Sequence, residues 1–157
     1  PFTPERVGSC PGFQLVDLCY SGEYSKAEIK KKLMGKGGAV AFFGTNDLKE
    51  IVRRGEDGDV RAKVWMEAFV LNIAKYIASE AADVCGEVDV ILLTGGGAYG
   101  QDIVDGIRSR VEFIAPVEVY PGEFELQSLA EHGYDILSGN ATILSYDKNA
   151  PEPDPFV

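Results

Sequence analysis

Residues 88–100, VDVILLTGGGAYG, constrain this chain more than any other stretch of its sequence. The stretch Val88–Leu93, apolar apart from Asp89, has the length of a strand. It passes through a polar turn carrying Gly95, Gly96, Gly97 and Gly100, and a helical pattern follows from Gln101 to Arg110. An apolar run bounded by a glycine turn reads as a buried strand. Strand, turn and helix in direct succession commit the chain to α/β layering, with helices packed on a sheet. Glycine reaches positive φ and lets the backbone approach a ligand closely. The helix start beyond it offers unpaired N–H groups and a positive dipole end to an anion. The functional expectation is a nucleotide site, although a tight turn without a ligand would use the same glycines.

The flanking sequence fits the same layering. Residues 1–12 hold three prolines and two glycines and read as loop. A short amphipathic helix is expected around Phe13–Cys19. A second is opened by the capping box Ser25–Glu28 and runs to Leu33. Ala39–Phe43, apolar throughout and closed by Gly44, is expected to be a buried strand. Thr45 or Asn46 should cap a short helix carrying Leu48, Ile51 and Val52. A long helix follows, with Val60, Val64, Ala68, Leu71, Ala74 and Ala78 in one stripe and Trp65, Phe69 and Ile73 beside it. Phe113–Ala115 and Val117–Tyr120 supply a further extended segment, and a last helix runs through Leu126, Leu129, Tyr134 and Leu137 to Gly139. These limits predict one domain over 1–139 and an extended, proline-rich tail over 140–157.

At 157 residues the length suits a single domain. The net charge of −10 is unevenly spread: residues 1–75 carry 12 basic and 10 acidic side chains, residues 76–157 carry 3 and 15. Such a surface repels phosphate backbones and anionic lipid, so neither nucleic acid nor membrane is an expected partner. An anionic ligand would lean on the first half or on backbone dipoles. No apolar run approaches the roughly 18 residues needed to span a bilayer, and no secretory leader is visible. Cys10, Cys19 and Cys85 are odd in number and form no CxxC, so they are expected to be structural thiols in a reducing cytoplasm.

Several other patterns compete for a role. Gly95, Gly97 and Gly100 satisfy GxGxxG, and Glu118 lies about 20 residues on, so a Rossmann-type NAD-binding oxidoreductase is a rival reading. No GxxxxGK[ST] occurs, which leaves Gly35, Lys36, Gly37 and Gly38 as a turn. Glu123 and Glu125 stand at a helix start, where they could assist Mg²⁺ or complement the helix dipole. His132 has no partner at ligand spacing and is expected on the surface.

The segments PFTPERVGS (1–9), LCYSGEYSKAEIKKKLMGKGG (18–38), FGTND (43–47), ILLTGGGA (91–98) and FIAPVEVYPGEFELQSLAEHG (113–133), in this order and spacing, resemble the butyrate kinases of the acetokinase family. That family belongs to the sugar kinase, Hsp70 and actin superfamily. The resemblance implies an RNase H-like, actin-like α/β fold with a mixed sheet and flanking helices, here only the C-terminal half of a two-domain kinase. It also implies ATP or ADP and Mg²⁺ as cofactors and butyrate or a similar short-chain carboxylic acid as substrate. The other partners expected are the missing N-terminal half and, through exposed apolar faces, further copies of the chain. A non-catalytic nucleotide-binding or assembly module is the remaining alternative.

Carried over by position, the resemblance puts Arg6 where these kinases place an arginine that stabilises the transferring phosphoryl group. Val7 stands where Ser is usual. Asp47, Leu48 and Lys49 match a stretch of the adenine-binding wall. Gly95, Gly96, Gly97 and Gly100 match the adenosine motif, although TGGGAYG replaces the common TGGIAHS. The position of a magnesium-associated Glu falls on Phe124, between Glu123 and Glu125. The family's HLG phosphate loop, catalytic Asp and His, and substrate arginine have no counterpart in these residues, so this chain alone is expected to be inactive.

Overall fold

The computed structural model describes residues 1–143, so most of the expected tail, residues 144–157, lies outside the described part. The chain divides into two units, Pro1–Gly122 and a second beginning at Glu123. The first holds helices α1 (Gly12–Tyr20), α2 (Lys26–Leu33), α3 (Gly38–Phe43), α4 (Leu48–Glu56) and α5 (Val60–Asp83), strand β1 (Ile91–Gly95), a 3₁₀ turn (Gly96–Tyr99), α6 (Gln101–Val111) and β2 (Val117–Pro121). The second is described through α7 (Glu125–Leu137), after which Gly139 takes φ +76° and ends the helix, as its position predicts.

β1 and β2 pair in parallel, Ile91 opposite Val117 and Gly95 opposite Pro121, with α6 as the crossover between them. This is the α/β arrangement that the glycine turn demands. One core forms where α5 and α6 cover the strands: Val70 and Ala74 meet Ile91, Ile103, Ile107 and Val111. A second collects Ala39, Ile51, Ala62, Trp65 and Phe69, with Phe2 and Phe43 packed against it. Trp65 stacks on Phe69 with centroids 5.3 Å apart, while Phe2 and Phe43 meet Trp65 edge-on at 5.3 and 5.9 Å. Leu48, Met66 and Ile73 border both cores and join them.

Six expectations change. Ala39–Phe43 lies in helix α3, not in a strand. A short apolar run has no period that separates the two states, and among the described residues no strand pairs with it. Instead the Val40 N–H donates to Pro4 O, and Gly44 at φ +74° closes the helix on Val40 O. The α5 stripe is also rotated. Trp65, Phe69, Val70 and Ala74 are buried, whereas Val60 and Val64 are exposed, because the aromatic cluster under α4 claims the Trp65 face. The cap of α4 is Asp47, whose Oδ1 accepts from the Lys49 N–H at 2.9 Å, with Thr45 Oγ1 accepting from the Asp47 N–H in turn. All three cysteines are exposed thiols, so none is a core residue. β1 begins at Ile91, three residues after the expected strand starts, and Phe113–Ala115 is a turn leading into β2 instead of an extended segment. The capping box of α2 is formed on both sides, and His132 is exposed, as expected.

Among the described residues, no helix is long and apolar enough to cross a membrane.

Candidate functional site

The end of β1 sets the geometry. Gly95 adopts φ +82°, a conformation open to glycine, and exchanges backbone hydrogen bonds with Gly122 (N–H to O 3.1 Å and, in return, 3.2 Å). The turn is thereby joined to the far end of β2. The chain then winds once through the 3₁₀ turn, burying Ala98, and the Gly100 N–H closes on Gly97 O at 3.1 Å. Gly100 is the N-cap of α6 and offers no side chain to cap it, so the N–H groups of its first turn have no side-chain partner at the cap. This 3₁₀ turn was not foreseen from the sequence, which reads the glycine turn as leading straight into α6.

A 190 Å³ cavity opens between this turn and α4. Its lining includes Leu48, Lys49, Val52 and Arg53 from one side and Gly96, Gly97, Tyr99 and Gly100 from the other. Two stretches almost 50 residues apart, both singled out in the sequence, therefore face the same space. A Cβ placed on Gly96 or Gly97 would meet no protein atom within 4 Å. The fold does not need glycine at these two positions, and both residues line the cavity. That is the fit expected of a backbone that receives a ligand. Lys49 and Arg53 stand one helical turn apart on α4 and bring two positive charges to the lining, to which Glu56 adds one carboxylate; Arg53 also pairs with Asp57 at 3.4 Å. Arg53 escaped the sequence reading. Its i+4 spacing from Lys49 was the available signal.

Two predicted residues do not line the cavity. Gly95 shapes the turn behind it, and Asp47 spends its carboxylate on the α4 cap. Glu118, the ribose-binding candidate of the dinucleotide reading, is the second residue of β2 instead of lying at the strand's end. Its carboxylate accepts from the Tyr120 hydroxyl at 2.6 Å, which raises the Tyr120 pKa. A ribose carboxylate belongs at a strand's carboxyl end, so this placement removes the dinucleotide geometry.

Arg6 is exposed and makes no ion pair among the described residues. Its backbone is held firmly: the Thr3 N–H donates to Arg6 O at 3.0 Å, and Thr3 Oγ1 accepts from the Arg6 N–H at 3.0 Å. The GKGG turn clasps this arm, with Gly35 and Gly37 N–H groups both donating to Glu5 O at 2.8 and 3.0 Å. A Cβ on Gly38 would fall 1.7 Å from Thr3 O, so glycine is a packing requirement there. Glu123 and Glu125 are exposed in the second unit, Glu125 in the first turn of α7. Among the described residues no three His, Cys, Asp or Glu side chains converge on a metal-sized site. A Mg²⁺ ion held by one or two carboxylates and phosphate needs no such cluster.

Comparison with known proteins agrees with this architecture. The chain is 44% identical over 146 residues to a probable butyrate kinase of Bacteroides thetaiotaomicron, covering 93% of this chain and 41% of that protein. It is 45% identical over 139 residues to a probable butyrate kinase of Clostridium botulinum, covering 88% and 39%. The chain thus spans about two fifths of the length of these relatives. Among solved structures, Porphyromonas gingivalis acetate kinase superposes with a TM-score of 0.72 at 22% identity, over 85% of this chain and 40% of that one. A propionate kinase from Francisella tularensis superposes with a TM-score of 0.68 at 22% identity, over 78% and 38%. These likenesses show a shared fold, the actin-like ATPase type expected from the sequence. With residues 13–135 matching the acetokinase family model, the chain belongs to the acetokinase family.

Proposed function

We propose that this chain is the C-terminal, ATP-binding portion of a butyrate kinase, with residues 1–139 as its nucleotide-binding domain. The complete enzyme would transfer the γ-phosphoryl group of ATP reversibly to butyrate. The observation that carries the reading is the cavity shared by Leu48, Lys49, Gly96, Gly97 and Gly100, built from both stretches that match the adenosine site. The names of the relatives support the choice of acid.

In this reading Leu48 and Lys49 wall the nucleoside, and Gly96 and Gly97 bring backbone against it. Gly95 and Asp47 act behind them, setting the turn and the start of α4. Lys49 and Arg53 add positive charge on one side. A butyrate oxygen forms a bond to the γ-phosphorus while the bond to the bridging oxygen of ADP breaks, giving butyryl phosphate and ADP. Arg6 meets the negative charge on the phosphoryl oxygens during that exchange, a task suited to a planar guanidinium that carries five N–H donors. Mg²⁺, when bound, neutralises phosphate charge. Glu123 and Glu125, exposed carboxylates and hard oxygen donors, are the residues that would assist it. The acceptor pocket and phosphate loop would come from an N-terminal half outside these residues.

The test is Arg6→Ala in the complete enzyme, assayed for butyryl phosphate. Arginines that act on a transferring phosphoryl group contribute about 10³-fold or more, so kcat should fall by that order while ATP affinity changes little. Near-normal kcat would remove Arg6 from the chemistry.

A further inference from the structure

We infer that Glu5 and Asn46 are positioning residues that hold the Arg6 turn in alignment with the α4 wall of the glycine cavity. The inference rests on the reading of Arg6 and of that cavity given above.

The Arg6 side chain is exposed and has no ion-pair partner among the described residues, so its aim depends on where the backbone of the Thr3–Arg6 turn sits. Thr3 closes the turn internally, its hydroxyl accepting from the Glu5 and Arg6 N–H groups at 3.3 and 3.0 Å. Pro4 O and Glu5 O then anchor the turn to α3 and to the GKGG segment. These bonds relate Arg6 to α2 and α3, and none reaches α4. Among the described residues one side-chain hydrogen bond joins the turn to the segment that leads into α4: Asn46 Nδ2 donates to Glu5 Oε1 at 2.8 Å, between residues 41 apart in sequence. A carboxylate only accepts, so the Asn46 amide is set with its nitrogen toward Glu5.

Asn46 is well placed to transmit this alignment. It lies two residues before Leu48, the first residue of α4 and part of the cavity wall. Thr45 and Asp47 on either side are tied into the α4 cap, so the segment has little freedom of its own. Below it, Phe2 and Phe43 meet the same Trp65 ring from the arm and from the end of α3. The aromatic floor sets the separation of the two segments. The Phe2 N–H also donates to Asn72 Oδ1 at 3.1 Å and ties the start of the arm to α5, while the Glu5–Asn46 bond, at the exposed rim, is the side-chain tie between the Arg6 turn and the segment before α4. Alignment matters here because a phosphoryl group bound through its nucleoside must arrive under the guanidinium, and small misplacements of reacting groups cost rate steeply.

An exposed hydrogen bond adds little to stability, so its loss should be read in turnover before it is read in melting. In the complete enzyme, Glu5→Ala and Asn46→Ala are each expected to lower kcat about 10- to 100-fold, with KM for ATP within about twofold and melting temperature unchanged. The double variant should be no slower than the slower single variant, because both changes remove one contact. Glu5→Gln keeps an oxygen that accepts from Asn46 and should recover most of the turnover. Near-normal kcat in both single variants, multiplicative losses in the double variant, or losses that track a lowered melting temperature would overturn the inference. Arg6→Ala separates the two levels. If it collapses kcat while the Glu5 and Asn46 variants do not, the positioning role alone fails; if it leaves kcat near normal, the reading of Arg6 fails and this inference with it.

Discussion

At the scale of single residues, the glycines separate into those the fold needs and those it does not. Gly38 receives the N-terminal arm so closely that any side chain would strike Thr3 O, and Gly95 turns the chain at φ +82°. Gly96 and Gly97 face open space, and their φ angles place no such demand on residue type. Gly96→Val should therefore fold with a stability change within about 0.5 kcal/mol, the usual range for a substitution clear of packed neighbours. It should nevertheless weaken ATP binding by about tenfold or more, by holding the nucleoside away from the backbone. Isothermal titration of the variant against ATP, beside a thermal melt, checks both halves. Unchanged affinity would mean that the cavity is not where the nucleotide sits. The sequence singled out these glycines by their number and place, but it could not separate packing glycines from ligand-facing ones, since that depends on atoms distant in the chain.

At the scale of elements, local chemistry and tertiary contact divide the work. α2 is a case of local control. The Ser25 N–H and hydroxyl both donate to Glu28 Oε2 at 2.8 and 2.7 Å, and these bonds hold the Glu28 pKa below the usual carboxylate value. Because the folded-state pKa is the lower one, the stabilisation is complete above the unfolded carboxylate pKa and is lost as pH falls through the folded value. Glu28→Ala should thus fray the start of α2 near neutral pH and make progressively less difference in acid. Amide exchange at Lys26–Glu28 across that pH range provides the measurement, and a difference that persists unchanged into acid would contradict the assignment. α3 is the opposite case. Its residues, apolar and β-compatible, read as a strand by composition, yet Pro4 O and Gly44 make them a helix.

At the scale of the whole molecule, large apolar side chains remain uncovered. α1 buries none of its residues, and Phe13 and Tyr20 are 88% and 86% exposed. On β1, Leu92 is 58% exposed, and in the second unit Leu126 and Leu137 are 85% and 90% exposed. Exposed apolar faces of this kind mark surfaces for association. The chain spans about two fifths of its relatives, and the remainder is the partner we propose for them. Assayed alone, the chain should bind ATP and form no butyryl phosphate, and co-expression with an N-terminal half should restore turnover. Robust turnover by the isolated chain would show that the chemistry has been assigned to the wrong residues.

What the sequence determined by itself was carried by short-range pattern, although not every short-range detail was legible: the α4 cap fell on Asp47 and a 3₁₀ turn preceded α6. The strand–glycine–helix join followed from residue types alone, as did the α2 capping box, the turn character of residues 35–37 and the end of α7 at Gly139, because each depends on φ preferences and hydrogen bonds within a few residues; Gly38 instead opens α3. Family membership was legible too, through the order and spacing of several such segments. Only the tertiary structure decided which face of α5 is buried, since Trp65 turns toward the aromatic cluster made by Phe2 and Phe43. It also decided that Arg53 joins Lys49 at the glycine cavity and that Glu5 meets Asn46. Those outcomes depend on contacts between residues tens of positions apart, and no local propensity encodes which distant side chain will arrive.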